Sequence, residues 1–232
     1  MRIIANERYI ERRAKAGRYL SLAGLLVLLA AFVFSWFQLR SPTLMPLALG
    51  AALTIGVILS YLGGYYMEQF GGPTAHYKGV RNALKGLDNR YTLLQYVLPV
   101  PHVLLGPDGL TVFAVRSQPG EVTYADGKWS HYQRGKFFRE LAGQERLGRP
   151  ELDAEAQVEQ MKRYLEKHLP GTEVPIQGVV LFINPDVRLD LKDPPVPVFH
   201  SKKVKSWLRG PGARKNLPVE VRQQLEEVLI KE

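Results

Sequence analysis

The sequence contains no cysteine. Disulfide staples and thiolate metal sites are therefore excluded, and a reducing compartment is permitted. Histidine is scarce: His76, His102, His131, His168 and His200 are the five, and no two share a metal-ligand spacing. H-E-x-x-H and G-x-S-x-G are absent, which removes the common zinc-protease and serine-hydrolase signatures. "RGPGARKN" at 209–216 has the glycines of a phosphate loop but lacks the G-K-[ST] ending, and it follows a predicted helix, so it reads as a basic loop. No internal repeat is present.

Charge is missing from two long runs. Tyr19 to Leu39, "YLSLAGLLVLLAAFVFSWFQL", has none over 21 residues, and after Arg40 a second run extends from Ser41 to Met67. A helix needs about 20 apolar residues to cross a bilayer. The runs therefore predict a transmembrane hairpin, about 19–39 and 43–66, turning at Pro42 and Pro46. A cleaved signal peptide has a shorter apolar core and a small-x-small site, which this sequence lacks. Two buried core helices would each carry a polar face. Ala23, Gly24, Gly50 and Gly56 are small enough for close helix approach. Tyr19, Trp36, Tyr61, Tyr65 and Tyr66 stand near the run ends, as interfacial aromatics do.

Basic residues set the orientation. Arg2, Arg8, Arg12, Arg13, Lys15 and Arg18 precede the first run, and only Arg40 lies between the runs. Lys78, Arg81, Lys85 and Arg90 follow the second. The positive-inside rule puts both termini in the cytoplasm. The segment 1–18 then reads as an orientation signal and an anchor on anionic headgroups. The chain as a whole carries a formal charge of +9, which suits anionic lipid or nucleic acid without choosing between them.

After a breaker-rich link at 68–78, residues 79–232 have an α/β pattern. Val80, Leu84 and Leu87 predict a helix, and "YTLLQYVL" a strand. "PHVLL" and "LTVFAVRS" flank "GPDG", a hairpin with turn chemistry at its tip. "GEVTYADGKW" gives a further strand ended by Asp126-Gly127. The polar stretch up to Arg149 has no legible period. Val158, Met161, Leu165 and Leu169 share one face of a helix opened by Pro150. "IQGVVLFINP" is a buried central strand, "VPVFH" a shorter one, and "SKKVKSWLRG" and "LPVEVRQQLEEVLIKE" are helices. The fold class expected is a two-helix membrane hairpin followed by an α/β domain with a mixed sheet.

From roughly Tyr77 to Ile230 this order resembles the nuclease-related domain, NERD. The resemblance rests on the opening helix, the strand pair around "GPDGL", the "GEV" and "GKW" after it, and "VVLFINP" followed by "VPVF". It implies a restriction-endonuclease-like fold, in which acidic residues hold a divalent metal and a lysine orients water. The family pattern places an acid before a histidine on the first hairpin strand, an E-x-K on the second, and often an acid early in the first helix. Here those places hold Pro101 before His102, Ala114 with Arg116, and Val80. Asp108 and Glu121 are the nearby acids that could stand in, with Mg²⁺ as the metal. Arg116 reads either as a fixed fork for phosphate or as a salt-bridged strand residue.

The densest basic stretch of the α/β domain is 200–215, with Lys202, Lys203, Lys205, Arg209, Arg214 and Lys215 around Trp207. It suggests a solvated helix face, a lipid contact, or a nucleic-acid contact with Trp207 stacking on a base. The reading reached from sequence is a membrane-anchored, non-catalytic binding or scaffold module without a cofactor. Its alternatives are a tethered Mg²⁺-dependent nuclease, and a basic module that binds anionic lipid or nucleic acid.

Overall fold

The structure is a computed structural model that describes residues 1–36, 44–141, 143–210 and 217–230. The chain divides into two compact units. One comprises Met1–Glu7, His76–Gln133 and Leu147–Glu232; the other comprises Arg8–Ala75 and Arg134–Arg146. The chain thus passes from unit to unit four times, and the hairpin is an insertion into the α/β unit rather than a leader in front of it.

That arrangement follows from a strand the sequence did not advertise. Arg2–Ala5 forms β1, which pairs in parallel with β2, Thr92–Gln95, in the register Arg2↔Thr92 to Ala5↔Gln95. Four residues next to a basic helix carry no usable period, and the partner lies some ninety positions away. β1 is an edge strand that covers β2, all four residues of which are buried.

In the hairpin unit, α1 runs Glu7–Trp36 and α2 runs Leu44–Tyr66. At 1.5 Å per residue α1 is about 45 Å long, longer than a hydrocarbon core of about 30 Å. Both helices are long and apolar enough to cross a membrane. Their outer surfaces are apolar: Leu25, Leu26, Leu29, Phe32, Leu47, Leu53, Ile55 and Ile58 are all exposed. The seam between them is made of small residues. Gly17, Gly24 and Ala31 are buried on α1, seven apart, and Gly56 and Gly63 on α2, also seven apart. A Cβ on Gly24 would stand 2.5 Å from Ser60 Oγ, and one on Gly17 would stand 2.7 Å from Tyr66 Cβ. A seven-residue seam is the signature of a left-handed helix pair. Gly24 and Gly56 act as expected; Gly50 faces open space and has no part in the seam. Gly17 and Gly63, which the sequence reading did not single out, complete it.

Tyr19, Trp36, Tyr61 and Tyr65 are exposed near the run ends. Tyr66 is tied down instead: Arg13 donates to its hydroxyl at 2.7 Å, and the guanidinium lies over the rings of both Tyr9 and Tyr66. α2 gives way to one π-helical turn, Met67–Gly71. The stretch 134–146 belongs to this unit and contains α4, Lys136–Leu141.

The α/β unit has a six-stranded mixed sheet, in the order β1-β2-β3-β4-β7-β9, and a three-stranded sheet, β6-β5-β8. β3 is His102–Gly106, β4 Gly109–Arg116, β7 Ile176–Phe182 and β9 Val198–His200. β3 and β4 are the hairpin read from "GPDG", and β4 lies parallel to β7 at the centre. Opposite faces of β4 enter different clusters. Phe113 and Val115 pack with Val80 and Leu84 of α3, His76–Leu84, whereas Val112 packs with Met161 and Leu165 of α5, Pro150–His168. α3 begins at His76, three residues earlier than the boundary at 79.

Asp126-Gly127 ends the "GEVTYA" strand as expected, and it does so as a hairpin turn. Both residues have positive φ, +50° and +73°, as a two-residue hairpin turn demands. They join β5, Gly120–Ala125, to β6, Lys128–Tyr132. β8, Val187–Leu191, completes this sheet on the other side of β5. α6, Val204–Arg209, and α7, Val219–Ile230, match the last two expected helices.

Candidate functional site

The place to test for nuclease chemistry is the end of β4 and the start of β3. Pairing Val103 with Val112 and continuing the antiparallel register by two residues sets Pro101 opposite Ala114. These are two of the three positions where the family resemblance implies metal ligands. Ala114 is fully buried in an apolar cluster with Val122, Ala154, Val180 and Phe182. Val80, the third such position, is fully buried against Leu84, Leu104 and Phe113. Neither has an oxygen to offer, and neither opens to solvent.

Arg116 continues the Ala114 face of β4 and is 5 % exposed. One of its nitrogens forms an ion pair with Asp153 of α5, and another donates to the Val115 carbonyl at 2.9 Å. Arg116 is therefore the salt-bridged strand residue, not a free fork. Asp153 is the acid that sequence reasoning missed. It lies 37 positions along the chain, on the polar side of a helix whose apolar face drew the attention. A second α5 acid, Glu151, is buried as well and is held by Trp129 Nε1 at 2.6 Å and Arg149 Nε at 2.9 Å. Trp129 of "GKW" also packs on Tyr124, so that motif fastens the small sheet to α5.

The proposed substitutes do not converge. Asp108 is in the turn between β3 and β4, the far end of the strand from Arg116; seven residues of strand span about 23 Å. Glu121 is exposed on β5, in the other sheet, opposite Tyr132. Among the described residues no three His, Cys, Asp or Glu side chains cluster as metal ligands do.

On the other face of the strands lies a buried polar layer. Gln95 of β2 and His102 of β3 are register partners, with Gln95 Nε2 3.5 Å from His102 Nδ1. Gln95 also donates to the Tyr77 carbonyl at 3.0 Å and accepts from Arg81 Nε at 2.6 Å, and Arg81 pairs with Glu7 at 2.7 Å. The Tyr96 ring meets His102 edge-on at 5.1 Å. His76 opens α3 and is 3 % exposed; its Nε2 has no hydrogen-bond partner among the described residues. Burial holds His102 down to about 3, with the neighbouring His76 and Arg81 adding to the effect. Burial, then Arg116, likewise brings His76 to about 3. Both imidazoles are neutral at pH 7. Among the described residues no carboxylate is hydrogen-bonded to either ring, so neither has there the orienting partner of a general base. This layer serves packing and register.

Part of the basic stretch is spoken for. Trp207 lies tilted on Phe199, with ring centroids 4.8 Å apart, and packs half-buried against the Val80 cluster. Lys205 Nζ donates to the Lys85 carbonyl at 2.9 Å, and Arg209 donates to the Gly86 carbonyl. Both acceptors lie just past the end of α3. Lys202 and Lys203 are exposed. Arg214 and Lys215, with most of "RGPGARKN", lie outside the described residues.

Two open grooves border α5. One, of about 600 Å³, is lined by Leu152, Glu155, Glu159, Gly178 and Pro197; the other, of about 640 Å³, is lined by residues of Leu165–Ile176. Neither contains a histidine. Comparison with protein-family models, with curated proteins and with solved structures gave no match.

Proposed function

We propose that this chain is a membrane-anchored, non-catalytic binding or scaffold module of the nuclease-related type. Its hairpin spans the bilayer, and its α/β unit stands on the cytoplasmic side. The observation that carries the reading is the fate of the would-be metal site: Ala114 is sealed in an apolar cluster and Arg116 is neutralised by Asp153. Metal-assisted hydrolysis needs converging oxygens and an open position for water. An alanine in a closed core and an arginine paired with Asp153 supply neither.

The sidedness draws on two observations. β1 precedes the hairpin and β2 follows it, and the two strands are hydrogen-bonded neighbours in one sheet. Both ends of the hairpin must then lie on the same side of any membrane it spans. The basic residues at 2–18, against a lone Arg40 in the connection, favour the cytoplasm for that side.

The test uses the full-length protein in nanodiscs with linear DNA or RNA and Mg²⁺ or Mn²⁺. No cleavage is expected. Cleavage that disappears in Asp153→Ala would overturn the reading and make the Arg116–Asp153 pair a resting state of an enzyme.

A further inference from the structure

The stretch "RGKFFRELAGQER", Arg134–Arg146, leaves the α/β unit after β6, joins the hairpin unit, and returns before α5. Its anchorage there is specific. Gly143 has φ +97°, and a Cβ on it would stand 2.5 Å from the Tyr61 carbonyl oxygen, 2.6 Å from Tyr65 N and 2.9 Å from the Gly64 carbonyl carbon. The backbone of the stretch therefore lies directly on α2. Glu145 N donates to Glu68 at 2.9 Å, and Gln69 donates to the Glu145 carboxylate at 3.5 Å. The double glycine of α2 serves two neighbours: Gly63 abuts Ser21 of α1, and Gly64 abuts Gly143.

The depth of that contact can be read from the seam. Gly17 meets Tyr66, and Gly24 meets Ser60. Tyr61 to Tyr65 are therefore level with Arg18 to Ala23 of α1, the first turn or so of its uncharged run. Four residues of helix cover about 6 Å. If the hairpin spans, this level is the boundary between headgroups and acyl chains, where amphipathic segments with basic residues settle. The stretch has that composition: Arg134, Lys136, Arg139 and Arg146 against Glu140 and Glu145, with Phe137, Phe138 and Leu141. Arg146 is paired with Glu140 at 3.1 Å, while Arg134, Arg139 and Leu141 are exposed.

We propose that Arg134–Arg146 is a third membrane contact, an interfacial foot that lays Leu141 into the bilayer boundary and holds anionic lipid headgroups with Arg134 and Arg139. The occupant follows from continuity with the apolar surface of the hairpin and from charge complementarity to acidic phospholipid. The inference rests on the spanning reading above.

The absence of cysteine makes the test clean. A nitroxide is attached to Leu141→Cys in the full-length chain, in nanodiscs of phosphatidylcholine alone or with phosphatidylglycerol added. Leu26→Cys reports lipid and Glu155→Cys reports water. Accessibility of each label to oxygen and to a water-soluble nickel chelate is then measured. The expected result is loss of nickel accessibility at 141 in phosphatidylglycerol bilayers, reversed in Arg134→Gln/Arg139→Gln. A label at 141 as wet as that at 155, while 26 reads lipid, overturns the foot and leaves the hairpin standing. Equal immersion with and without phosphatidylglycerol overturns headgroup binding. A wet label at 26 overturns the spanning reading itself.

Discussion

The hairpin and the α/β unit are built inside out with respect to each other. In the hairpin, leucine and phenylalanine cover the surface and glycine fills the contact between helices. In the α/β unit, Phe113, Leu104 and Leu181 fill the core and the glycines mark turns and close crossings. On the proposed spanning reading, the same residue types have opposite meanings because the surrounding solvent differs. Where lipid is as apolar as leucine, burying leucine gains nothing, and close backbone packing holds the helices together. In water, burial of apolar area is the dominant favourable term.

The comparison is most easily broken by paired truncations. Phe113→Ala in the α/β core is expected to cost about 3–5 kcal/mol. Leu26→Ala on the outer face of α1 is expected to cost less than about 0.5 kcal/mol, as surface changes do. Thermal unfolding in detergent micelles, followed by circular dichroism, measures both. A Leu26 cost equal to that of Phe113 would mean that this face packs on protein.

The buried histidines should confine a pH effect to the α/β unit. In the unfolded chain His76 and His102 titrate near 6.5, whereas in the fold both are lowered to about 3. Between those values the unfolded state binds more protons. Their contribution to stability is complete above about pH 6.5 and is lost as the pH falls towards 3, by at most about 1.4 kcal/mol per histidine per unit. Denaturation midpoints read by tryptophan fluorescence at pH 7 and 5 should differ in that direction. His76→Leu should flatten the slope by about half, its one-histidine share of this effect. An unchanged slope would place the His76 ring in contact with water.

Glycines offer the finest contrast. Gly50→Ala, in open space on α2, should gain up to about 1 kcal/mol of helix propensity. Gly24→Ala, whose new carbon would press on Ser60, should lose stability instead. Equal signs in the same micellar melts would remove the seam.

What was legible in the sequence divides along the same line. The two long apolar helices were plain because an uncharged run is a local signal. The β3–β4 hairpin was plain because Pro-Asp-Gly carries its own turn chemistry. β1 was not, since four residues gain their identity only from β2. Asp153 was hidden for a like reason: its role comes from Arg116 across a helix–sheet contact, not from a neighbour in sequence. Of the seam, Gly24 and Gly56 stood out as small residues in apolar runs. Gly17 was masked by the basic residues around it, and Gly63 by a double glycine that reads as a breaker. Trp207 looked like a binding residue because its neighbours are basic, and its packing on Phe199 was not legible because the two lie on different elements.

The central claim is that the hairpin is inserted between two paired strands, so that both of its ends lie on one side of any membrane it spans; the proposed side is the cytoplasm. Single cysteines at Glu11 and Glu155, both exposed, test it with a membrane-impermeant maleimide applied to right-side-out and to inverted vesicles. Labelling of both sites in inverted vesicles alone is the predicted result. Labelling of the two from opposite faces would contradict the insertion, and labelling of both from outside would reverse its orientation.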